Sequence, residues 1–292
     1  MGLGGILRGV CVALVFALAT AIAAADEPAA TGASPAAGDS AAPTGELGKP
    51  VPDMAGKVWA DLLTQLFPDV TASNEPDAFA TATEMNDVRS IGVADDSWNF
   101  CGEKIGLKEF DAKVVRLGDR RRWLVTITMA DECAALLALF DESGKLVDAV
   151  NVRGDQHVSY EGVRPLGPTG ALFIAWNWHD NSSQSYDDPM LVLVKTDGFS
   201  SIGSLPAFGS RGCRDQFTEQ PIITVAPATP MARIDAQVKR RTQKFAADCE
   251  TKIGRERLVT FDGYWRWNTE KGAYEPHLKE FDALFEWNRK QD

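Results

Sequence analysis

Several signatures are missing from this chain of 292 residues, and each absence removes a class of chemistry. There is no Cys-x-x-Cys, so neither a thioredoxin-like dithiol nor a structural zinc cluster has its spacing. There is no Gly-x-Ser-x-Gly elbow for a serine hydrolase, and "GFSSIG" and "FGSRG" do not supply one. Histidine is scarce, with three in all, and His157, His179 and His277 form no His-Glu-x-x-His pattern. "SGK" at Ser143 to Lys145 lacks the glycine that opens a phosphate loop, and so reads as a turn. No apolar run reaches the ~20 residues that a membrane-spanning helix needs. Positive charge is also short: 30 Lys and Arg stand against 41 Asp and Glu, a net charge of -11. Nucleic-acid phosphates would repel such a chain, and the runs Arg120-Arg121-Arg122 and Lys239-Arg240-Arg241 look short and local, so no nucleic-acid partner is expected.

The N-terminus carries a targeting pattern. Arg8 precedes an apolar run from Val10 to Ile22, and Ala23-Ala24-Ala25 before Asp26 offers small residues for cleavage. Residues 1–25 therefore read as a signal peptide, which places the mature chain in the periplasm or outside the cell. Residues 26–50 are nearly all Ala, Pro, Gly, Ser and Thr, too poor in apolar side chains to offset ordering, and read as a flexible tether. Residues 51–292 are expected to form a single β-rich secreted domain.

Cys11 should leave with the signal, and the four remaining cysteines make an even count in an exported chain. The sequential pairing is expected, Cys101 with Cys133 and Cys213 with Cys249.

The fold class read from periodicity is mainly β, an antiparallel meander, sandwich or propeller-like array. "RRWLVTITMA", "AALLALF", "LVDAVNV", "GALFIAWNW" and "MLVLV" are short runs separated by turn residues. "GYWRWN" and "AYEP" flank a "TEKG" turn, and this stretch is similar to the aromatic closing strands of propeller-like secreted proteins. Flanking helices are expected near 56–67, where Val58, Trp59, Leu62, Leu63, Leu66 and Phe67 repeat at helical spacing, and near 231–250 and 277–290. Asp69 to Asn86 reads as loops or a weak helix.

One stretch invites a functional reading: "WNWHDNSSQSYDD", Trp176 to Asp188. Alternation puts Trp176 and Trp178 on one strand face and Asn177 and His179 on the other. Asp180 to Asp188 then reads as a nine-residue polar hairpin loop, longer than most, and the candidate binding residues are Trp176, Trp178, His179, Asp180, Tyr186, Asp187 and Asp188. Aromatic rings beside a polar rim suit an envelope protein or a glycan. "SSQSY" is similar to the Ser-Gly-x-x-Tyr loop of a periplasmic family of lysozyme inhibitors, with Ser183 in place of the glycine; that resemblance implies a protein binder that plugs its target's cleft. Asp180, Asp187 and Asp188 are calcium-type ligands, although the Asp-x-Asp-x-Asp-Gly order is absent, and no other cofactor or metal is expected. Ser182, His179 and Asp180 are the residue types of a triad, but adjacency in sequence is not triad geometry, so no catalytic residue is assigned. The leading expectation is an exported, disulfide-stabilised binding or scaffolding protein of the cell envelope. The alternative is a secreted hydrolase using carboxylates near residues 176–188.

Overall fold

A computed structural model of the chain describes residues 44–86, 88–91, 104–130, 134–152 and 157–288. The expected signal at residues 1–25, most of the expected tether, the expected Cys101–Cys133 pair and the Trp287 side chain lie outside the described residues.

The fold is mainly β, built from two sheets. The first contains β1 (Thr71–Ala72), β2 (Ala80–Ala82), β3 (Arg89–Ser90), β4 (Ile105–Leu117), β5 (Arg120–Met129), β6 (Ala135–Phe140) and β7 (Leu146–Asn151). Their order is β1-β2-β4-β5-β6-β7-β3, antiparallel except where β3 joins β7. The second contains β8 (His157–Gly167), β9 (Gly170–Asp180), β10 (Gln184–Lys195), β11 (Gly198–Ser204), β12 (Ala207–Arg211), β13 (Asp215–Ala226), β14 (Arg233–Phe245), β15 (Lys252–Asn268) and β16 (Ala273–His277). Here the order is β16-β15-β14-β13-β12-β10-β9-β8, with β11 beside the C-terminal half of β10.

Period-two alternation sorts the apolar side chains into layers. On β5 and β6, Trp123, Val125, Ile127, Leu136, Ala138 and Phe140 face an N-terminal layer made by Trp59, Leu62, Leu63, Leu66 and Phe67. Their neighbours Leu124, Leu137 and Leu139 face the other way, onto Phe173, Ala175, Val192 and Val194 of β9 and β10. Strands covered on both sides read as continuous apolar runs, which is why these were visible in the sequence. The far side of β9 and β10 presents Leu172, Ile174, Leu191 and Leu193 to a third cluster with Ile223, Ile234, Val238, Trp265 and Phe281. Strands from opposite limbs of the second sheet share that cluster, so the sheet curls on itself. Gly203 of β11 marks the point of closest approach: its φ is 147°, and a Cβ there would lie 2.9 Å from the Trp265 indole nitrogen.

Polar contacts join the two sheets. Asp148 of β7 accepts hydrogen bonds from Arg89 (2.6 Å) and from the Phe199 backbone N–H (2.8 Å). Arg89 also donates to the Phe199 carbonyl, so one carboxylate and one guanidinium bridge the layers.

Three expectations change. Residues 231–250 are not a helix: Arg233–Phe245 is β14, because Ile234, Ala236 and Val238 alternate with Arg233, Asp235 and Gln237, and pairing on both edges rewards that period. The first helix, α1, is confined to Trp59–Leu63, with turns continuing to Pro68, whereas α2 at Lys279–Asn288 matches the third expected helix. Asp69 to Asn86 holds β1 and β2. In addition, Gly45–Gly48 forms a helical turn and Leu47 is buried, so the ordered body takes in residues whose composition resembles the tether.

Candidate functional site

The stretch from Trp176 to Asp188 is not a long loop. β9 and β10 stay paired to the end, with His179 opposite Tyr186 and Asp180 opposite Ser185, leaving only Asn181 to Ser183 as the turn. The Asn181 carboxamide oxygen accepts from the Ser183 and Gln184 backbone N–H groups at 2.9 and 2.8 Å, a local closure that makes a longer loop unnecessary. The nine-residue loop expectation fails because polar side chains here decorate a strand, and polarity by itself does not distinguish a strand's wet end from a loop.

Pairing then divides the candidate residues. Trp176, Trp178, Asp180 and Asp187 share one face; His179, Tyr186 and Asp188 share the other. Trp176 packs on the third apolar cluster. The Trp178 ring lies 4.0 Å from that of His157, and the His179 ring stacks on Tyr186 at 5.5 Å. Asp180 is held by Arg211 at 2.9 and 3.1 Å. No cluster of three metal-ligating His, Cys, Asp or Glu side chains exists among the described residues, and alternation turns Asp188 away from Asp180 and Asp187. Tyr186 lines a cavity of about 310 Å³ together with Phe208, Phe217 and Asn288.

Asp187 stands apart chemically, because burial raises its carboxyl above the ordinary 3.8. Between 3.8 and that raised value the folded state binds more protons than the unfolded chain, so stability falls as pH rises through this window. Asp187→Asn should therefore raise the melting temperature at pH 7 relative to wild type and lose that advantage below pH 3.8. Equal melting curves across the range would contradict this environment for Asp187.

A second concavity, which the sequence did not reveal, lies on the solvent side of β13 to β15. It encloses about 720 Å³ and is lined by Arg233, Asp235, Gln237, Asp262, Tyr264, His277 and Glu280, among others. Strand register assembles it: Asp235 lies opposite Tyr264, Gln237 opposite Asp262, and Tyr264 opposite His277. The Tyr264 ring stacks on His277 at 4.6 Å, and the Arg233 guanidinium lies 5.2 Å from its centroid. These neighbours come from β16 and β14, on opposite sides of β15, so the phenol stands between them like a partition. Asp235 binds Arg233 at 2.7 Å, Gln237 donates to Asp262 at 2.8 Å, and Glu280 accepts from the Asp262 N–H at 2.9 Å. Each polar group is positioned by its neighbour.

No protein family, curated protein or solved structure matches this chain. The functional reading therefore rests on the chemistry of the site.

The alternation in "RIDAQVK" was the available signal for the cleft. Reading that segment as a helix scattered Arg233, Asp235 and Gln237 around a cylinder instead of setting them in a row.

Proposed function

We propose that this chain is an exported cell-envelope binding protein that holds a glycan segment in the cleft formed by β13 to β15. One observation carries the reading: the cleft wall is a preset array of donors (Arg233, Gln237, Tyr264, His277) and acceptors (Asp235, Asp262, Glu280), set beside apolar surface from Ile222 and Ala236 that can take the C–H face of a sugar ring. A polyhydroxylated ligand both donates and accepts at every hydroxyl, and it matches such a wall better than an apolar ligand does. Export is supported by the apolar run from Val10 to Ile22 followed by small residues, and by the Cys213–Cys249 disulfide, which persists in oxidising compartments.

Native affinity electrophoresis through gels containing soluble envelope polysaccharides tests the proposal. Wild-type protein should be retarded by at least one of them, and Asp235→Asn or Gln237→Ala should weaken the interaction roughly three- to tenfold, the effect of one hydrogen bond. Trp178→Ala, outside the cleft, should leave it unchanged. Free migration in every gel, or equal retardation of the cleft variants, would refute the reading.

Asp187 favours a second reading, a carboxylate hydrolase, because a carboxyl raised by burial is suited to act as a general acid. Release of reducing ends from the same polysaccharides, abolished in Asp187→Asn, would replace binding by hydrolysis.

A further inference from the structure

Past the cleft the sheet continues as an arm in which β14 stays paired with β13 as far as Lys244, and the β14–β15 hairpin of that arm carries a charge that opposes that of the rest of the protein. Between Lys239 and Leu258 there are seven basic and three acidic side chains, in a chain whose net charge is -11. Antiparallel pairing folds the two halves of that segment together, with Thr242 opposite Arg257, Lys244 opposite Ile253 and Phe245 opposite Lys252. Arg240 is consumed by Glu219, and Arg241 approaches Glu256 at 3.9 Å. Lys239, Lys244, Lys252, Arg255 and Arg257 enter no ion pair among the described residues, and all but Lys239 are exposed. The segment from Lys239 to Phe245 runs for about 20 Å at strand rise. At physiological salt, screening over ~8 Å leaves these cations free of most of the distant acidic charge. The Cys213–Cys249 disulfide ties the arm's tip to the turn between β12 and β13, so the charges sit on a fixed support.

We infer that this arm binds a polyanionic glycan, one carrying carboxylate or sulfate groups along its length. The distribution of side chains selects that class. A lipid surface needs several apolar groups on one face, but Ile253 pairs with Lys244 while Leu258 pairs with Arg241, and alternation along β14 puts these two pairs on opposite sides of the ribbon, so the two exposed aliphatic side chains are never side by side. Single-stranded nucleic acid is gripped by aromatic stacking, and the only aromatic between Lys239 and Leu258 is the half-buried Phe245. A flexible linear polyanion needs neither a plane nor a stacking platform; it needs cations spaced along a rod. The choice of a glycan rests on the envelope-binding reading above, whereas the charge of the arm does not depend on the cleft.

The test uses the full mature chain and retention on immobilised polygalacturonate in a salt gradient. Wild-type protein should bind at low salt and elute as salt rises. Lys244→Gln, Arg255→Gln and Arg257→Gln combined should weaken binding roughly tenfold or more, with an unchanged melting temperature because all three are exposed. Ile253→Ser with Leu258→Ser should bind as wild type. Equal retention of the triple variant would overturn the inference, as would tighter binding to phosphatidylglycerol vesicles or duplex DNA than to polygalacturonate. Asp235→Asn separates the two proposals: polygalacturonate binding that is lost in the triple variant and ignores Asp235→Asn sustains the arm on its own, the cleft being decided by the affinity gels above, and absence of any polygalacturonate binding rejects the arm whatever the cleft does with neutral polymers.

Discussion

Replacing Glu219 by alanine should lower the melting temperature by on the order of 10 °C, about 3 to 5 kcal/mol of stability. Glu219 points from β13 into the interior with its side chain fully buried, and Arg240 beside it is 11% exposed. One carboxylate oxygen receives Arg240 Nε at 2.7 Å and also Nη2; the other receives the Phe208 N–H and the Asn288 amide, each at 3.0 Å. Arg240 donates in turn to the Asn288 carboxamide oxygen at 2.8 Å, which fastens the end of α2 to the sheet. Truncating Glu219 strands a desolvated guanidinium and several donors, and that penalty exceeds whatever the ion pair itself contributes. The comparison that isolates this cause is the double variant Glu219→Leu with Arg240→Met, which removes both charges and should recover most of the loss. A thermal melt of wild type, single and double variants decides it; a double variant as unstable as the single would show that lost packing, and not an uncompensated charge, sets the cost.

Cutting the Cys213–Cys249 crosslink should be nearly as damaging. The two cysteines are 36 residues apart, and closing such a loop in the unfolded chain stabilises the native state by roughly 4 kcal/mol on the chain-entropy account. Cys249 has a φ of 62°, a left-handed conformation that costs a residue with a Cβ about 1 kcal/mol, so relaxation of the freed turn trims the loss without cancelling it. Cys213→Ser with Cys249→Ser should therefore lower the urea midpoint clearly. Trypsin should also cut sooner after Lys252 or Arg255, because the tip of the β14–β15 hairpin would have lost its anchor. An unchanged midpoint would mean that the crosslink only decorates two turns that hold without it.

Legibility in the sequence followed burial. Strands covered on both faces announce themselves as apolar runs, so β5, β6, β9 and β10 were found from "RRWLVTITMA", "AALLALF", "GALFIAWNW" and "MLVLV". The "TEKG" turn falls between β15 and β16 as expected, at Thr269 to Gly272, because a turn needs only local chemistry. β14 was misread because a strand with one wet face carries Arg, Gln and Lys, residues that also favour helices, and only its neighbours β13 and β15 reward the alternative. A different ambiguity, polar residues on the wet end of a strand, turned the end of the β9–β10 hairpin into an apparent loop.

Composition and local pattern alone determined the mainly-β class, the chance of a Cys213 to Cys249 pairing and the scarcity of familiar catalytic spacings. The curl of the second sheet decided what stands beside what: Arg233 and His277 on either side of Tyr264, Glu219 against Arg240, and the cations of one hairpin drawn into a single arm. Those juxtapositions join residues tens of positions apart through strand register, and register is fixed by which faces can be buried together, a property of the whole sheet that no short stretch of chain contains.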